Sequence, residues 1–351
     1  MVNPRSPRVF AIGERIIGDD YPPFVIAEIG INHEGSMKKA LLMIEKAAAA
    51  GCECIKFQCH ILGDEMIPNP IIPDNASESI WDIMERCSLS RENEVLLKTR
   101  TEELGMIFLS TPFSRAAADR LNEMDVKAYK IGSGECNNIP LLKHIAGFKK
   151  PVILSTGMND LESVARSVAV FMNHDVPVAL LHCTSIYPTP YEKVRLGALA
   201  EMRRAFPQLV IGLSDHTIDN YACFGAVALG ARILERHFTA DKNWPGPDIP
   251  ISMNPEELTD LIQGSRAIFE ASGGQKHALN EEKPTIQFAF ASVVAIAKIK
   301  MGDLLSRDNI WVKRPGTGEI RAEMYESLLG RRAKRDIPMD TLLRWSDLER
   351  K

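Results

Sequence analysis

Eight short apolar runs recur between residues 24 and 239, and helix-like segments fill the spaces between them. The runs are rich in β-branched and aromatic residues, and they start 22 to 31 residues apart except for one wider gap. They are residues 24–30, 52–58, 106–112, 128–134, 151–157, 178–184, 209–215 and 233–239. Runs without a polar face that alternate with helices indicate a parallel sheet covered by helices. Eight such units predict an α/β fold of the closed (β/α)8, or TIM, barrel type.

The connecting segments carry helix signals. In the first of them, Ser36 is placed to cap a helix and Gly51 to end it. The predicted buried stripe of this helix is Met37, Leu41, Ile44 and Ala48. The helix after the last run begins at "NPEEL", with Asn254 as the cap and Glu257 three residues on. A doubly wound open sheet is the alternative fold, but "EIGINHEG" after the first run does not fit its usual G-x-G-x-x-G loop.

Two regions fall outside the repeat. The wide gap, roughly residues 60–105, is long enough to cover the mouth of the barrel. The tail from residue 285 consists of short β-like pieces broken by Gly, Pro and Asp, and a polar stretch precedes it. The sequence therefore predicts a barrel domain over residues 1–284 and a small β-rich domain over residues 285–351.

Composition narrows the setting to an ordinary soluble protein, with 45% hydrophobic and 25% charged residues. The net charge of −4 argues against nucleic acid as the main partner. The first twenty residues lack the apolar core of a signal peptide, and no run reaches membrane-spanning length, so we expect no membrane contact. None of the seven cysteines lies in a C-x-x-C pair, so we expect buried thiols in a reducing cytoplasm.

Polar residues gather at the carboxyl ends of the predicted strands, where barrels of this kind carry their chemistry. Each of them alone is more often a helix cap or a satisfied core group. One cap per strand does not require two lysines and three glutamates, so the set as a whole predicts an active site. Its members are Glu28, Lys56, Gln58, Ser110, Thr111, Lys130, Ser133, Glu135, Ser155, His182, Ser185, Tyr187, Ser214, Asp215, His216, Glu235 and His237.

Two histidines in this set suggest a metal site. His216 and His237 follow the seventh and eighth strands, and neighbouring strands lie about 4.8 Å apart. Two imidazoles without a third protein ligand leave positions open for substrate and water, which favours Mn²⁺ or Mg²⁺ acting as a Lewis acid over structural zinc. The alternative is that one histidine bonds a backbone carbonyl and the other lines a wet cavity.

The lysines and hydroxyls of the set suggest an anion site. Lys56 and Lys130 come from the second and fourth strands, and the turns after several strands supply hydroxyls and inward N–H groups. Phosphate is bound in this way. Glu28 and Glu135 are placed beside these lysines for proton transfer or water orientation. The combination predicts addition chemistry on a phosphorylated small molecule.

Six motifs carry a resemblance to a known family. "EIGINHEG", "YKIGSGE", "ILSTGM", "GLSDHT", "ERHFT" and "VKRPGTG" follow one another along nearly the whole chain. In this order they resemble the sialic acid synthases, the bacterial N-acetylneuraminate synthases in particular. The resemblance implies a (β/α)8 barrel joined to a C-terminal antifreeze-like (SAF) domain. It also implies condensation of phosphoenolpyruvate with an open-chain sugar of the N-acetylmannosamine type, with release of phosphate by C–O cleavage.

The resemblance assigns roles to individual residues. It places the divalent metal on His216 and His237, and it assigns to Glu135, with Glu28, the positioning of the attacking water. The residues it implies for phosphoenolpyruvate are Lys56, Thr111, Lys130, Ser133, Ser155 and Ser214. Those it implies for the sugar are Gln58, Asn75, Ser185, Tyr187, Asp248 and Arg314. Arg314 is expected to come from the partner subunit of a domain-swapped homodimer, because in this family the small domain packs over the partner's barrel.

One departure leaves the sugar open. The chain reads "CTSIYPTP" where "CTNIYPTP" is expected, so Ser185 replaces an asparagine that helps to bind sugar hydroxyls. The alternative acceptor is a 2,4-diacetamido-trideoxy sugar, the precursor of legionaminic acid. Two other functions stay open, a carbohydrate- or ice-binding protein and an aldolase-type barrel that forms a Schiff base on Lys56 or Lys130.

Overall fold

The computed structural model describes residues 8–349. An N-terminal hairpin of two antiparallel strands, β1 (Val9–Ile12) and β2 (Arg15–Gly18), precedes eight parallel strands. The parallel strands are β3 (Phe24–Gly30), β4 (Cys54–Cys59), β5 (Ile107–Pro112), β6 (Tyr129–Ile131), β7 (Val152–Ser155), β8 (Val178–Cys183), β9 (Ile211–Asp215) and β10 (Ile233–His237). Each predicted run contains its strand, except that β4 extends one residue further, to Cys59.

The strand order is that of a barrel. Hydrogen bonds connect the strands in the order β5-β4-β3-β10-β9-β8-β7-β6, and β5 packs beside β6. Consecutive strands are therefore neighbours all the way round, and the last strand, β10, pairs with the first, β3. This confirms the predicted (β/α)8 barrel and excludes the doubly wound sheet, in which the strand order reverses partway.

Eleven helices accompany the barrel strands in the described chain. They are α1 (Met37–Ala49), α2 (Leu62–Glu65), α3 (Ile80–Cys87), α4 (Arg91–Glu103), α5 (Arg115–Glu123), α6 (Ile139–Ala146), α7 (Leu161–Met172), α8 (Tyr191–Val194), α9 (Gly197–Ala205), α10 (Tyr221–Ala228) and α11 (Pro255–Ala271). The side chain of Ser36 caps α1, and Asn254 and Glu257 form a capping box at the start of α11, as predicted. The short helices α2 and α3 lie in the wide gap between β4 and β5.

The predicted buried stripe of α1 was partly wrong. The helix buries Ala40, Met43, Ile44 and Ala47. The predicted Met37, Leu41 and Ala48 are only partly buried and pack against the edge of the same core. Both sets of residues satisfy the 3.6-residue period of a helix. The helix packs on the barrel with the face that carries the small alanines.

The barrel interior changes character along its length. Toward the amino ends of the strands it is apolar, and Phe10, Ile12 and Ile17 of the N-terminal hairpin join this cluster together with Phe24 and Ile26. The sequence analysis did not predict this hairpin. Toward the carboxyl ends, inward positions on the same strands become charged. Packing at one end thus leaves the other end for polar side chains.

The chain divides into two compact units, Met1–Gly273 and Gly274–Lys351. The smaller unit contains α12 (Lys283–Ala289) and an antiparallel pair, β11 (Ser292–Ala295) and β12 (Ile310–Lys313). The two strands contribute to an apolar core that belongs to this unit. The predicted domain boundary, between residues 284 and 285, falls inside α12.

All seven cysteines are buried and free, as predicted. Among the helices described for residues 8–349, none has the length and apolar character needed to cross a membrane.

Candidate active site

Four charged side chains meet inside the barrel at the carboxyl ends of β3, β4, β6 and β10. Lys56 Nζ lies 2.8 Å from Glu28 Oε2 and 3.8 Å from Glu235 Oε2. Lys130 Nζ lies 3.4 Å from Glu235 Oε1. All four residues are buried, so each charge is balanced by its neighbours instead of by water. We call these four residues the charged centre.

Hydroxyl groups surround the charged centre. Lys56 Nζ donates a hydrogen bond to Thr111 Oγ1 at 3.0 Å, and Lys130 Nζ donates to Ser155 Oγ at 2.7 Å. Ser214 Oγ donates to Glu235 Oε1 at 3.0 Å. The structure therefore brings together five of the six residues predicted for phosphoenolpyruvate, which are Lys56, Thr111, Lys130, Ser155 and Ser214.

The sixth residue, Ser133, lies in the turn after β6, and its hydroxyl accepts a hydrogen bond from the Gly157 N–H at 3.0 Å. Gly157 is required here by a close approach. A Cβ at this position would lie 2.5 Å from Ser185 Oγ and 2.8 Å from Ser133 Oγ. The glycine thus allows the turns after β6, β7 and β8 to converge.

Glu235 belonged to the predicted strand-end set but had been given no role of its own. Three ionisable residues end β10, and their side chains alternate across the strand. Glu235 points inward with His237. Arg236 points toward the helices, where its Nη1 donates to Asn220 Oδ1 at 2.7 Å and its Nε lies 3.4 Å from Asp215 Oδ2. Because side chains alternate along a strand, the sequence alone would have indicated that Glu235 and Arg236 face opposite sides of β10.

The two glutamates of the charged centre differ in their proton affinity. Burial raises the pKa of Glu28 to about 7, although Lys56 acts in the opposite direction. Burial also acts to raise the pKa of Glu235, but Lys130 and Lys56 outweigh it and hold the pKa below its ordinary value. Glu28 is therefore suited to exchange a proton near neutrality, while Glu235 stays charged beside the lysines.

A cavity of about 710 Å³ adjoins this centre. Five of the six residues predicted for the sugar line it, namely Gln58, Asn75, Ser185, Tyr187 and Asp248, as do Glu135 and His237. Much of the remaining wall is apolar and consists of Ile31, Met66, Pro73, Ile80, Ile83, Met84 and Ile186. The wide gap after β4 contributes several of these residues, in agreement with its predicted position at the mouth. Arg314, the sixth predicted sugar residue, belongs to the smaller unit and is exposed.

Sequence reasoning missed three further residues of this wall, His60, Glu65 and Phe113. His60 follows β4 immediately, at the same alternating position as Lys56 and Gln58. That spacing of two was the available signal, because every second residue of a strand faces the same side.

The two predicted metal ligands lie close together. The rings of His216 and His237 have centroids 5.5 Å apart, and the Tyr187 ring lies 4.1 Å from that of His216. His216 Nδ1 donates to the carbonyl oxygen of Thr184 at 2.8 Å. Burial acts to lower the pKa of His216, but Cys183 and this carbonyl outweigh it and raise the pKa to about 9, so a metal at Nε2 would displace a proton. The alternative without a metal predicted a histidine bonded to a backbone carbonyl, and this contact is present. Because metal-binding histidines are oriented by the same kind of contact, it does not distinguish the two predictions.

His237 provides the test of whether a cation fits. Its Nδ1 is buried and has no hydrogen-bond partner among residues 8–349, and the nearest carboxylate, Asp248 Oδ2, is 3.6 Å away. Burial holds the pKa of His237 well below its ordinary value, so the ring is neutral. Within the same residues, no group of three or more His, Cys, Asp or Glu side chains is arranged to hold a metal. A neutral ring with an orphaned nitrogen beside a second histidine fits a divalent ion with an open coordination shell.

Glu135 occupies the 3-10 turn Ser133–Glu135 after β6. Its Oε2 accepts a hydrogen bond from Asn138 Nδ2 at 2.5 Å. Burial raises the pKa of Glu135 above its ordinary value, although the Asn138 contact acts against this shift. The carboxylate lines the cavity and is held in one orientation, which is the arrangement that a general base needs.

Comparison with known proteins gives two family matches. A model described as the NeuB family matches residues 43–277, and a model described as the SAF domain matches residues 290–349. The chain is 38% identical to the N,N'-diacetyllegionaminic acid synthase of Campylobacter jejuni, over 91% of this chain and 98% of that protein. It is 33% identical to the human N-acetylneuraminate-9-phosphate synthase, over 85% of both chains.

A solved structure also resembles the protein. The crystal structure of N-acetylneuraminic acid synthetase from Leptospira borgpetersenii, in complex with citrate, has a TM-score of 0.74 and 31% sequence identity. The match covers 81% of this chain and 97% of that one. The similarity therefore covers most of this chain.

Proposed function

The chain belongs to the NeuB family, and from this we propose that it condenses phosphoenolpyruvate with an open-chain N-acetylated amino-hexose and releases inorganic phosphate. The observation that carries the proposal is the charged centre of two lysines and two glutamates beside a cavity lined by Glu135 and His237. Relatives named as synthases of legionaminic acid and of neuraminate 9-phosphate support the same reaction class.

Phosphoenolpyruvate would bind at the charged centre. Lys56 and Lys130 would hold its phosphate and carboxylate by charge, and the hydroxyls bonded to them would complete the contacts. Glu235, which contacts both lysines, would keep them charged and in place despite their burial. The anion would compete with these carboxylates for the lysines, so binding would rearrange the ion pairs.

The reaction would form one C–C bond, and at C2 it would replace the bond to the phosphate oxygen with a bond to the oxygen of water. C3 of phosphoenolpyruvate attacks the aldehyde carbon of the sugar, whose oxygen takes the π electrons and a proton to become a hydroxyl, and positive charge develops at C2. A water molecule then attacks C2 while Glu135 takes its proton. The resulting tetrahedral carbon expels inorganic phosphate with the electron pair of the C2–O bond. The products are the 2-keto acid of the lengthened sugar and phosphate.

A divalent cation, Mn²⁺ or Mg²⁺, would be held by His216 and His237 and would polarise the sugar aldehyde. Tyr187 packs against the ring of His216, and Thr184 accepts its Nδ1 proton, so both contacts orient this histidine. Asn75 Nδ2 lies 3.5 Å from Asp248 Oδ1, and both side chains face the cavity where sugar hydroxyls would bind.

Two acceptors are candidates. N-acetylmannosamine is the one implied by the motifs of the chain. The second, a 2,4-diacetamido-trideoxy-mannose, is favoured by two observations, the short Ser185 side chain and the apolar part of the cavity wall. A deoxy carbon and a second acetyl group would bury methyl groups there, each worth about 0.8 kcal/mol.

We expect Ser185→Asn to raise the ratio of kcat/KM for N-acetylmannosamine over kcat/KM for the diacetamido sugar about tenfold. The amide adds one hydrogen bond to a sugar hydroxyl, worth about 1 kcal/mol, and takes up room beside Gly157. The measurement is phosphate release at fixed phosphoenolpyruvate with Mn²⁺ present.

The exposed Ser272→Asn is the matched control, and its ratio should equal that of the wild type. An unchanged ratio in Ser185→Asn would remove this residue from acceptor recognition.

If the wild type releases no phosphate with either sugar, the proposed function is wrong, and borohydride trapping of an adduct on Lys56 or Lys130 would support an aldolase instead.

We propose further that the active enzyme is a homodimer in which Arg314 of the partner subunit reaches the sugar cavity. No lysine or arginine is among the described residues that line this cavity, so an acceptor hydroxyl or acetamido group would lack a cationic donor. Arg314 is exposed, and the smaller unit also exposes Phe288 and Phe290, which an interface would cover.

This arrangement predicts complementation. Arg314→Ala and His237→Ala should each be inactive alone, because each lesion disables every site of its own homodimer. After mixing and subunit exchange, a hetero-dimer would carry both lesions in one composite site and none in the other. Random exchange should restore about a quarter of wild-type phosphate release. Mixtures that stay inactive although exchange is verified by mass labelling would contradict the swapped arrangement.

A further inference from the structure

A histidine–glutamate pair lies in the cavity wall next to the charged centre. His60 Nδ1 lies 2.9 Å from Glu65 Oε2 and 3.1 Å from Glu65 Oε1. His60 Nε2 lies 3.0 Å from Gln58 Oε1. The imidazole is buried, and it stacks on the Phe113 ring with 4.6 Å between centroids and 11° between planes. Both ring nitrogens are therefore engaged, and the ring has a fixed plane.

The contacts of Gln58 determine the protons on this histidine. Gln58 Nε2 donates to Glu28 Oε1 at 3.1 Å, so the other end of the amide, Oε1, faces His60 and must accept. His60 Nε2 therefore carries a proton. Glu65 presents two carboxylate oxygens to Nδ1, which requires a second shared proton between them. His60 and Glu65 together therefore hold two protons, one on Nε2 and one shared between Nδ1 and the carboxylate.

Glu65 is itself held in place. It ends the one-turn helix α2, and the neighbouring Asp64 Oδ2 accepts the Ala116 N–H at 2.9 Å, at the start of α5. The side chain of Glu65 is only 8% exposed, so its carboxylate is confined against the imidazole of His60. A chain of contacts thus runs from α2 through His60 and Gln58 to Glu28 and Lys56.

We propose, resting on the proposed function, that His60 is a positioning residue that fixes the Gln58 amide with its N–H₂ group toward Glu28. Without the Nε2 proton the Gln58 oxygen loses its donor, and only the contact with Glu28 opposes a half-turn of the amide. Its oxygen would then face Glu28 Oε1, placing two acceptors against each other at about 3 Å. Glu28 would lose a donor, and Gln58 would present the wrong group to the sugar cavity, which it also lines.

The first test is a double-mutant cycle. His60→Phe keeps the stacking on Phe113 but removes both N–H groups, and we expect it to lower kcat/KM about 30-fold in the wild-type background. In a Gln58→Leu background the same change should lower kcat/KM less than about threefold, because no amide is left to orient. His60→Gln, which retains a donor, should recover part of the loss. Additive effects in the cycle would overturn the proposal.

The matched control is His144→Phe. His144 also pairs with a carboxylate, Asp119 at 2.7 Å, and packs against a phenylalanine, Phe148 at 5.1 Å, but it lies on α6 away from the cavity. Its kcat/KM should match the wild type in both backgrounds. Equal losses from His60→Phe and His144→Phe would show a general stability effect and would also overturn the proposal.

The second test does not depend on turnover. Long-range proton–nitrogen spectra of the ¹⁵N-labelled protein at neutral pH should show one imidazole, absent in His60→Phe, with both ring nitrogens protonated or with the Nδ1 proton shared. A ring with an unprotonated Nε2 would overturn the proposal. If the wild type releases no phosphate from phosphoenolpyruvate, the proposed function fails, and the spectrum still decides whether His60 donates to Gln58.

Discussion

His237→Ala should lower the turnover number at least about 10³-fold while leaving the fold intact, a loss of about 4 kcal/mol of transition-state stabilisation. His237 is one of two histidines proposed to hold the cation, and its buried Nδ1 has no hydrogen-bond partner among residues 8–349. Removing it leaves His216 as a single imidazole ligand, which binds a divalent ion weakly. The ring also lines an open cavity, so its loss removes little packing.

Three measurements check this expectation. Calorimetric titration with Mn²⁺ should give a dissociation constant raised at least about 100-fold, phosphate release should fall with it, and the thermal midpoint without metal should stay near that of the wild type. His277→Ala, at an exposed position, is the matched control and should behave as the wild type in all three. Wild-type Mn²⁺ affinity and wild-type turnover in His237→Ala would show that the metal assignment is wrong.

The barrel was predictable because its signal is repeated. Each inner strand is buried on both faces, so its apolar run has no polar face and differs from the striped pattern of the helix after it. Eight repeats of a strand followed by a helix are compatible with few topologies other than the barrel. The N-terminal hairpin gave no such signal, because four-residue strands are too short to show a period and the apolar interior that they cover is assembled from residues distant in sequence.

The site was predictable as a set of strand ends but not as a set of contacts. Lys56, Lys130 and the hydroxyls around them follow from their positions at one end of the sheet. The role of Glu235 depends on a carboxylate reaching two lysines across the barrel, from a strand more than 100 residues later in the chain. The sequence alone predicts which face of the strand a side chain is on. The residues that it contacts become known only from the closed barrel.

His60 and Glu65 were missed for a related reason. The residues lie just beyond β4, and although His60 continues the alternation of the strand, Glu65 belongs to the one-turn helix that follows. A histidine followed five residues later by a glutamate is an unremarkable pattern in a loop. Its meaning comes from Gln58, whose amide lies between His60 and Glu28 of the neighbouring strand.

Glu135→Gln should keep substrate binding and lower the turnover number about 10³-fold, because an amide cannot take the proton of the attacking water. The substitution preserves shape, and the new side-chain oxygen can still accept the Asn138 N–H₂ hydrogen bond, so the turn after β6 should keep its conformation. The measurement is a full kinetic analysis with both substrates varied, together with calorimetric binding of phosphoenolpyruvate.

Glu162→Gln is the matched control, since Glu162 is an exposed glutamate that pairs with Arg166 on α7, and its kinetic constants should equal those of the wild type. The pH profile adds a second criterion. Because burial raises the pKa of Glu135, the rate should fall as pH decreases through that raised value, since protonation removes the base. This acidic limb should vanish in Glu135→Gln. A variant with unchanged kcat and a raised KM would instead place Glu135 in substrate binding and leave the water without its proposed base.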